Sequence, residues 1–196
     1  MAKTIITLGR EYCTGGRFIA EDVANALGIK LYDKELITMA AKNSGLSEEA
    51  VAASEKRHTH SLLYSLYTMG NELPLGDQVF ILQSRIIKQL AEEGPCVILG
   101  RCADEILREA GMESLNVFIH ADAVHRAVRA SELTGCTDAT ELQKIIAKKD
   151  NSRHTYYNHY TGKKWGDSHN YHLVLDSGKL GYSLCAKLII EAAKGE

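Results

Sequence analysis

Residues 4–17, TIITLGREYCTGGR, decide the fold of this chain. Positions 4–8 are β-branched or apolar and do not alternate with polar residues, which is typical of a strand covered on both faces of a parallel sheet. Beyond the loop, apolar residues recur every four positions from Ile19 to Leu27, and Gly28 ends this helical pattern. A glycine pair at a helix N-terminus lets backbone N–H groups surround a phosphate. The stretch therefore predicts a strand, a phosphate loop and a helix, with an ordinary strand-to-helix turn as the alternative.

The composition indicates one globular domain. The chain has 196 residues, of which 45% are hydrophobic and 24% are charged, and this is enough for a single core. Its formal net charge of −2 lacks the concentrated positive charge that duplex nucleic acid or an anionic membrane surface attracts. Apolar runs stop at about eight residues, too short to span a bilayer, and no signal-peptide core precedes the first strand. We therefore expect a cytoplasmic protein with no nucleic-acid or membrane partner.

The apolar pattern predicts a sheet of five strands. Helical patterns alternate along the chain with four further apolar segments, at positions 29–32, 96–99, 115–119 and 172–176. Strands and helices that alternate in this way are typical of a three-layer α/β domain with a parallel sheet and right-handed crossovers. Ligands of such sheets bind at the carboxyl ends of the strands. Those ends carry Asp33, Gly100 and Arg101, together with the residues at 120–122 and 176–177.

Two kinds of nucleotide site compete for the first loop. A dinucleotide site needs G-x-G-x-x-G and an acidic residue about 20 positions later. Asp33 suits that acidic position, but the loop glycines stand at 9, 15 and 16, which is the wrong spacing. A mononucleotide loop ends in Gly-Lys-Ser/Thr. The loop length fits this second kind of site, although the lysine is absent.

Four segments carry a resemblance to a known family: ITLGREYCTGGR at 6–17, LYDKEL at 31–36, CVILGRCAD at 96–104 and YTGKKWGD at 160–167. With these motifs the chain resembles the cytidylate kinase-like proteins, relatives of the nucleoside monophosphate kinases in the P-loop superfamily. The resemblance implies one P-loop kinase-like domain over residues 1–196. It also implies a substrate-side helical insertion at about 45–93 and a helical lid at about 126–168.

The resemblance further implies a role for each part of the site. An ATP donor with Mg²⁺ would bind the loop, whose residues are Gly9, Arg10, Glu11, Tyr12, Cys13, Thr14, Gly15, Gly16, Arg17 and Phe18. The acceptor monophosphate would face Asp33, Gly100, Arg101 and Asp104. The catalytic charge on the transferring phosphate would come from Arg17 and from the lid arginines Arg126, Arg129 and Arg153.

The chain departs from the P-loop kinase pattern at three positions. Gly16 stands where the loop lysine is usual, and Leu99 stands where an acidic residue usually ends the third strand to hold magnesium. We expect Arg17, one residue away, to supply the missing positive charge, and Glu11 or Asp33 to reach the metal. Asp104 lies two residues later than the aspartate of the Gly-Arg-Asp signature in true cytidylate kinases.

The expected function is an ATP- and Mg²⁺-dependent phosphoryl transfer to a nucleoside monophosphate, with CMP or dCMP as the preferred acceptor. Two alternatives stay open. The absent lysine and acidic residue favour a nucleotide-binding sensor or regulatory protein of the same fold with little catalysis. The stretch 55–76, where periodicity fades, differs from the acceptor-binding region of a true cytidylate kinase and favours a kinase of another small phosphate acceptor.

Overall fold

The computed structural model describes residues 5–33, 35–45, 47–54 and 73–195, and the structural statements below refer to these ranges. Its sheet has five parallel strands in the order β2-β3-β1-β4-β5. The strands are β1 (Ile6–Arg10), β2 (Lys30–Tyr32), β3 (Cys96–Leu99), β4 (Leu115–His120) and β5 (Leu173–Asp176). The predicted five-stranded parallel sheet is therefore confirmed.

Helices cover both faces of this sheet. They are α1 (Gly16–Leu27), α2 (Glu35–Ser44), α3 (Glu48–Ser54), α4 (Leu75–Glu93), α5 (Ala103–Glu109), α6 (Ala123–Thr134), α7 (Ala139–Thr161), α8 (Ser177–Leu180) and α9 (Tyr182–Lys194). Side chains of β3 alternate between two cores: Val97 and Leu99 pack toward α1 and α9, and Cys96 and Ile98 pack toward α2 and α4. Because both faces are covered, an uninterrupted apolar run is the pattern this strand requires.

The first strand ends later than the sequence pattern predicts. Gly9 and Arg10 belong to β1, since they pair with Phe118 and Ile119 of β4. The strand pairing therefore extends two residues past the apolar run, because β4 offers backbone partners there regardless of side chain. The phosphate loop proper spans residues 11–15, between the end of β1 and the start of α1.

The helices α6 and α7 form a hairpin that begins beside the phosphate loop. Asp122 and Asp138 cap them, each accepting a backbone N–H from three residues ahead. Near the start of α7, Leu142 packs with Ala130 of α6 and Cys13 of the loop in a small buried cluster. The 23 residues of α7 span about 35 Å at 1.5 Å per residue. One helix thus reaches from the phosphate loop to the core beneath α2.

Two expectations from the sequence, on membrane spans and on the stretch 55–76, can be compared only with the described ranges. No helix within them is long and apolar enough to cross a membrane. Most of the stretch 55–76 falls outside them, because residues 55–72 are not described. The described part of the range 45–93, where the insertion is expected, contains the helices α3 and α4.

Candidate active site

The phosphate loop has a backbone that depends on left-handed residues. Gly15 immediately precedes α1 with φ 69°, and Cys13 also has a positive φ of 65°. A Cβ on Gly15 would lie 2.2 Å from Cζ of Tyr182, so both the conformation and the space require glycine. The first turn of α1 leaves backbone N–H groups without helical partners, and these groups suit an anion.

One hydrogen bond within the loop and one from outside it fix its shape. The Thr14 hydroxyl donates to the Glu11 carbonyl (2.9 Å), and the Ser177 hydroxyl donates to the Thr14 carbonyl (2.8 Å). Ser177 directly follows β5, so the carboxyl end of that strand holds the loop in place. A loop held by such contacts needs little reorganisation when a ligand binds.

A lid-side cluster, made of Arg126, Glu11 and Asp150, ties the hairpin to the loop. Arg126 donates to Glu11 Oε2 (2.9 Å), to the Tyr12 carbonyl (2.9 Å) and to Asp150 Oδ2. Asp150 Oδ1 also accepts the backbone N–H of Tyr12 (2.7 Å). Arg126 and Asp150 are only 11% and 17% exposed. The cluster therefore matches one guanidinium with two carboxylates in a mostly buried place.

The other two lid arginines lie in different surroundings. Arg153 Nη1 donates to the Arg10 carbonyl (3.3 Å) and lies 3.6 Å from Asp150 Oδ1, and burial lowers the pKa of Arg153. Arg129 donates to Glu132 (2.7 Å) and covers the ring of Phe18 at 5.3 Å. The structure thus brings Arg126 and Arg153 to the phosphate loop and places Arg129 at its outer edge.

A cavity of about 300 Å³ opens beside the loop, at the carboxyl ends of β1, β2 and β3. Its lining combines basic, acidic and aromatic side chains: Thr7, Leu8, Gly9, Arg10, Asp33, Gly100, Arg101, Cys102, Asp104, Lys149, Ser152, Arg153, Tyr156, Tyr157, Trp165 and Tyr171. All four residues expected to bind the acceptor are in this lining. The expectation that ligands bind at the carboxyl ends of parallel strands therefore identified side chains that the fold brings together.

A cavity-side cluster has Asp33 at its centre, with Arg10, Arg17 and Arg101 around it. Each of the three guanidinium groups has a nitrogen 3.7 Å from a carboxylate oxygen of Asp33. Burial, followed by the charge of Arg153, lowers the pKa of Arg10. Guanidinium groups keep their proton at neutral pH. The single negative charge of Asp33 therefore faces three positive charges in this cluster. Such an arrangement favours a bound anion.

Arg17 lies at the edge of this cluster. Its Nε donates to Glu21 Oε1 (2.9 Å) one turn along α1, and its side chain is 49% exposed. The guanidinium is thus divided between Glu21, in an exposed pair of the usual i,i+4 kind, and Asp33.

The corner after β3 holds Arg101 in a strained backbone. Gly100, Arg101 and Cys102 have φ of 78°, 55° and 55°, and such conformations are unfavourable for the last two residues. Just beyond, buried Asp104 accepts a hydrogen bond from the Tyr157 hydroxyl (2.7 Å). Burial raises the pKa of the Asp104 carboxyl, and it also raises that of Tyr157. This corner therefore projects one arginine and one buried acid into the cavity.

The aromatic wall of the cavity consists of the lining residues Tyr156, Tyr157, Trp165 and Tyr171, which were not among the residues assigned to the site from the sequence. Phe118 packs edge-on to Trp165 (5.3 Å between ring centroids) and against Tyr171 (4.9 Å), and it lies close to Gly9. Lys149 also lines the cavity, although its place in a run of basic residues is typical of a solvated helical face. The tyrosines and the tryptophan come from the end of α7 and the segment after it, where no periodic pattern indicates a cavity.

Glu11 and Asp33 are the carboxylates expected to reach magnesium. Asp33 is surrounded by guanidinium groups, which compete with a cation. Glu11 uses Oε2 for Arg126 and for the Ala121 N–H (3.4 Å), and its Oε1 has no hydrogen bond within the described chain. Magnesium bound with nucleotides takes most of its ligands from phosphates and water. Of the two, Glu11 fits a magnesium ligand better.

A model of the cytidylate kinase-like family matches residues 5–179, and the chain belongs to that family. No functionally curated protein matches the chain. Among solved structures it is similar to an uncharacterized protein from Eubacterium ventriosum ATCC 27560, with 28% identity, a TM-score of 0.75, and 98% of this chain and 99% of that chain covered.

Two solved kinases share the fold at lower identity. A shikimate kinase from Bacteroides thetaiotaomicron is 14% identical, with a TM-score of 0.55 and 97% and 98% of the two chains covered. A gluconokinase from Sinorhizobium meliloti 1021 is 13% identical, with a TM-score of 0.54 and 99% and 95% covered. The family resemblance and the P-loop kinase fold expected from the motifs are both confirmed.

Proposed function

We propose that this member of the cytidylate kinase-like family transfers the γ-phosphate of ATP to a nucleoside monophosphate, with CMP or dCMP preferred. The observation that carries the proposal is the cationic cavity beside the phosphate loop, in which Arg10 and Arg101 face Asp33. Arginine binds phosphate oxygens in a planar, bidentate manner. The family supports the cytidylate preference.

The size and wall of the cavity fit a nucleotide acceptor. Its volume of about 300 Å³ lies at the lower end of the usual range for small-molecule sites. Tyr156 and Trp165 offer apolar surface to a base, and Arg101, with Asp33, offers charge to a phosphate. In this arrangement the acceptor phosphate would lie near the loop and the base near the aromatic wall.

Phosphoryl transfer requires positioning and positive charge more than covalent chemistry from the protein. Backbone N–H groups of the loop would hold the donor phosphates, while Arg126 and Arg153 would face the transferring group from the lid, with Arg129 and Arg17 at the margins. Bound magnesium would neutralise phosphate charge, and Glu11 would hold it. Closure of the hairpin over the loop would exclude water.

Two other functions have specific support. Gly16 and Leu99, at the places of the loop lysine and the strand-end acid, favour a nucleotide sensor with little catalysis. The modest cavity favours a kinase of a smaller acceptor, as in the shikimate kinase and the gluconokinase that share the fold.

A screen of acceptors tests the proposal. Coupled ADP release is measured with ATP, magnesium and each ribo- and deoxyribonucleoside monophosphate, with shikimate and gluconate added as small acceptors. CMP or dCMP should react faster than AMP, GMP or UMP. If no compound raises ADP release above the ATP-only background, the kinase proposal fails and the sensor function is favoured.

A further inference from the structure

The absent loop lysine has a structural counterpart in the side chain of Arg10. A Cβ on Gly16 would lie 2.8 Å from Arg10 Cβ and 2.9 Å from Arg10 Cγ. Gly16 has no positive φ, so its backbone does not itself demand glycine. The requirement is steric: the stem of Arg10 fills the space through which a side chain at position 16 would leave the helix.

A second glycine makes room for the head of the same side chain. Arg10 Nη1 lies 2.5 Å from where a Cβ on Gly100 would be, and Arg10 Nη2 lies 3.7 Å from Asp33 Oδ1. The side chain therefore runs from the end of β1, past Gly16, to the cavity between Gly100 and Asp33. It carries a positive charge to the junction of the phosphate loop and the cavity.

The surroundings of Arg10 leave that charge poorly compensated. Among the described residues, the charged groups that act on it are Asp33, which is acidic, and Arg17, Arg101 and Arg153, which are basic. Its peptide carbonyl accepts a hydrogen bond from Arg153, which brings a further guanidinium close. The Arg10 side chain is only 20% exposed, and a largely buried guanidinium near other positive charges favours a bound anion.

We propose that Arg10 replaces the phosphate-loop lysine and holds the β- and γ-phosphates of the nucleotide, and that Gly16 is glycine so that the Arg10 stem can cross it. This inference rests on the proposed nucleotide site. It differs from the expectation drawn from the sequence, in which Arg17 has that role. Arg17 also lies near the Asp33 carboxylate, but about half of its side chain is exposed to solvent.

Calorimetric titration of ATP with magnesium, without acceptor, tests the assignment. Arg10→Ala should lower ATP affinity on the order of 30-fold or more, because truncation removes a charged partner from a desolvated phosphate. Arg108→Ala is the matched control: it removes a guanidinium that is 58% exposed and pairs with Glu105, outside the cavity lining, and ATP affinity should stay unchanged. Equal ATP affinity in wild type and Arg10→Ala, or a larger loss in Arg17→Ala, overturns the proposal.

Compensation between positions 10 and 16 gives a readout that a purely structural role would not produce. Gly16→Lys alone should abolish ATP binding, because its stem collides with Arg10. In the Arg10→Gly background, which removes both the Cβ and the Cγ that would collide, the same lysine should restore ATP affinity at least fivefold over Arg10→Gly. Thermal unfolding of each variant checks folding, and if the lysine variants do not fold, Arg10→Lys must bind ATP more tightly than Arg10→Ala. Absence of any rescue by lysine contradicts the proposal.

The test of Arg10 and the test of the proposed kinase function can fail independently. A wild type that binds ATP but phosphorylates no acceptor ends the kinase proposal and leaves the Arg10 test intact. A wild type that phosphorylates CMP while Arg10→Ala binds ATP equally well ends the Arg10 assignment alone.

Discussion

The two arginine clusters beside the phosphate loop differ in how their charges are matched. In the lid-side cluster, Arg126 faces two carboxylates, Glu11 at 2.9 Å and Asp150. In the cavity-side cluster, three guanidinium groups share Asp33, each at 3.7 Å. A matched buried cluster holds elements together without a ligand, whereas three guanidinium groups around one carboxylate, counted among the described residues, favour an anion. The comparison therefore separates a cluster whose charges are already paired in the ligand-free protein from one that still favours an anion.

The largest expected effect is the loss of acceptor affinity when Arg101, in the cavity-side cluster, is replaced. Arg101 is 11% exposed, and Arg101→Ala should weaken acceptor binding by about 2 to 4 kcal/mol, because truncation leaves the buried acceptor phosphate without its charged partner. The measurement is a calorimetric titration of CMP. Arg108→Ala, which removes an exposed guanidinium after the same corner, serves as the control and should leave CMP affinity unchanged. Equal CMP affinity in wild type and Arg101→Ala would return Arg101 to a structural role.

Arg153 joins the two clusters, since it contacts both the Arg10 carbonyl and Asp150. Arg153→Ala should lower kcat on the order of 100-fold, as expected for a group that stabilises charge developing in the transition state. ATP affinity should change only a few-fold, because such an interaction appears mainly in kcat. Steady-state kinetics and ATP titration are compared on the same protein. Losses of equal size in turnover and in ATP binding would argue against this role.

The lid-side cluster should contribute to stability even without nucleotide. Asp150→Ala removes the acceptor of the Tyr12 N–H and one partner of Arg126, so the free energy of unfolding should fall by about 1 to 3 kcal/mol. Urea unfolding of the ligand-free protein measures this loss. Glu141→Ala, on the same helix, breaks an exposed pair with Lys144 and should change stability by less than about 0.5 kcal/mol. If the two variants lose the same stability, the lid-side cluster is no more structural than a surface pair.

The positions of the strands could be predicted from the sequence, because each depends on a short run of apolar residues. The meeting of their carboxyl ends at one edge then follows from a parallel sheet. The run at 96–99 is the strand β3 itself, since both faces of that strand are covered. Asp33 and Arg101 come together because β2 and β3 are parallel neighbours whose carboxyl ends meet. Arg10 was assigned to the loop, because a charged residue gives no strand signal when backbone pairing alone extends β1.

The packing within the site could not be predicted from the sequence in the same way. Gly16 is a loop glycine in the sequence, and only the structure relates it to the stem of Arg10. Tyr157 and Tyr171 reach the cavity from α7 and from the segment before β5, and their contacts depend on tertiary packing. Asp150 has the appearance of a solvated helical charge, yet its carboxylate accepts a loop N–H at 2.7 Å. Such contacts join residues far apart in the chain and leave no local pattern.

The smallest expected effect concerns Asp104, the buried acid of the cavity. Burial raises the pKa of its carboxyl above the unfolded value of about 4, so the folded state keeps this proton to higher pH than the unfolded state does. The free energy of unfolding must then fall as pH rises above about 4, until the folded-state carboxyl has also ionised. Asp104→Asn lacks this titration and can still accept the Tyr157 hydroxyl. In urea unfolding at pH 4, 5, 6 and 7, wild type should therefore lose stability relative to Asp104→Asn as pH rises. A difference that stays constant over this range would mean that the Asp104 carboxyl has an ordinary pKa and that water reaches it in the cavity.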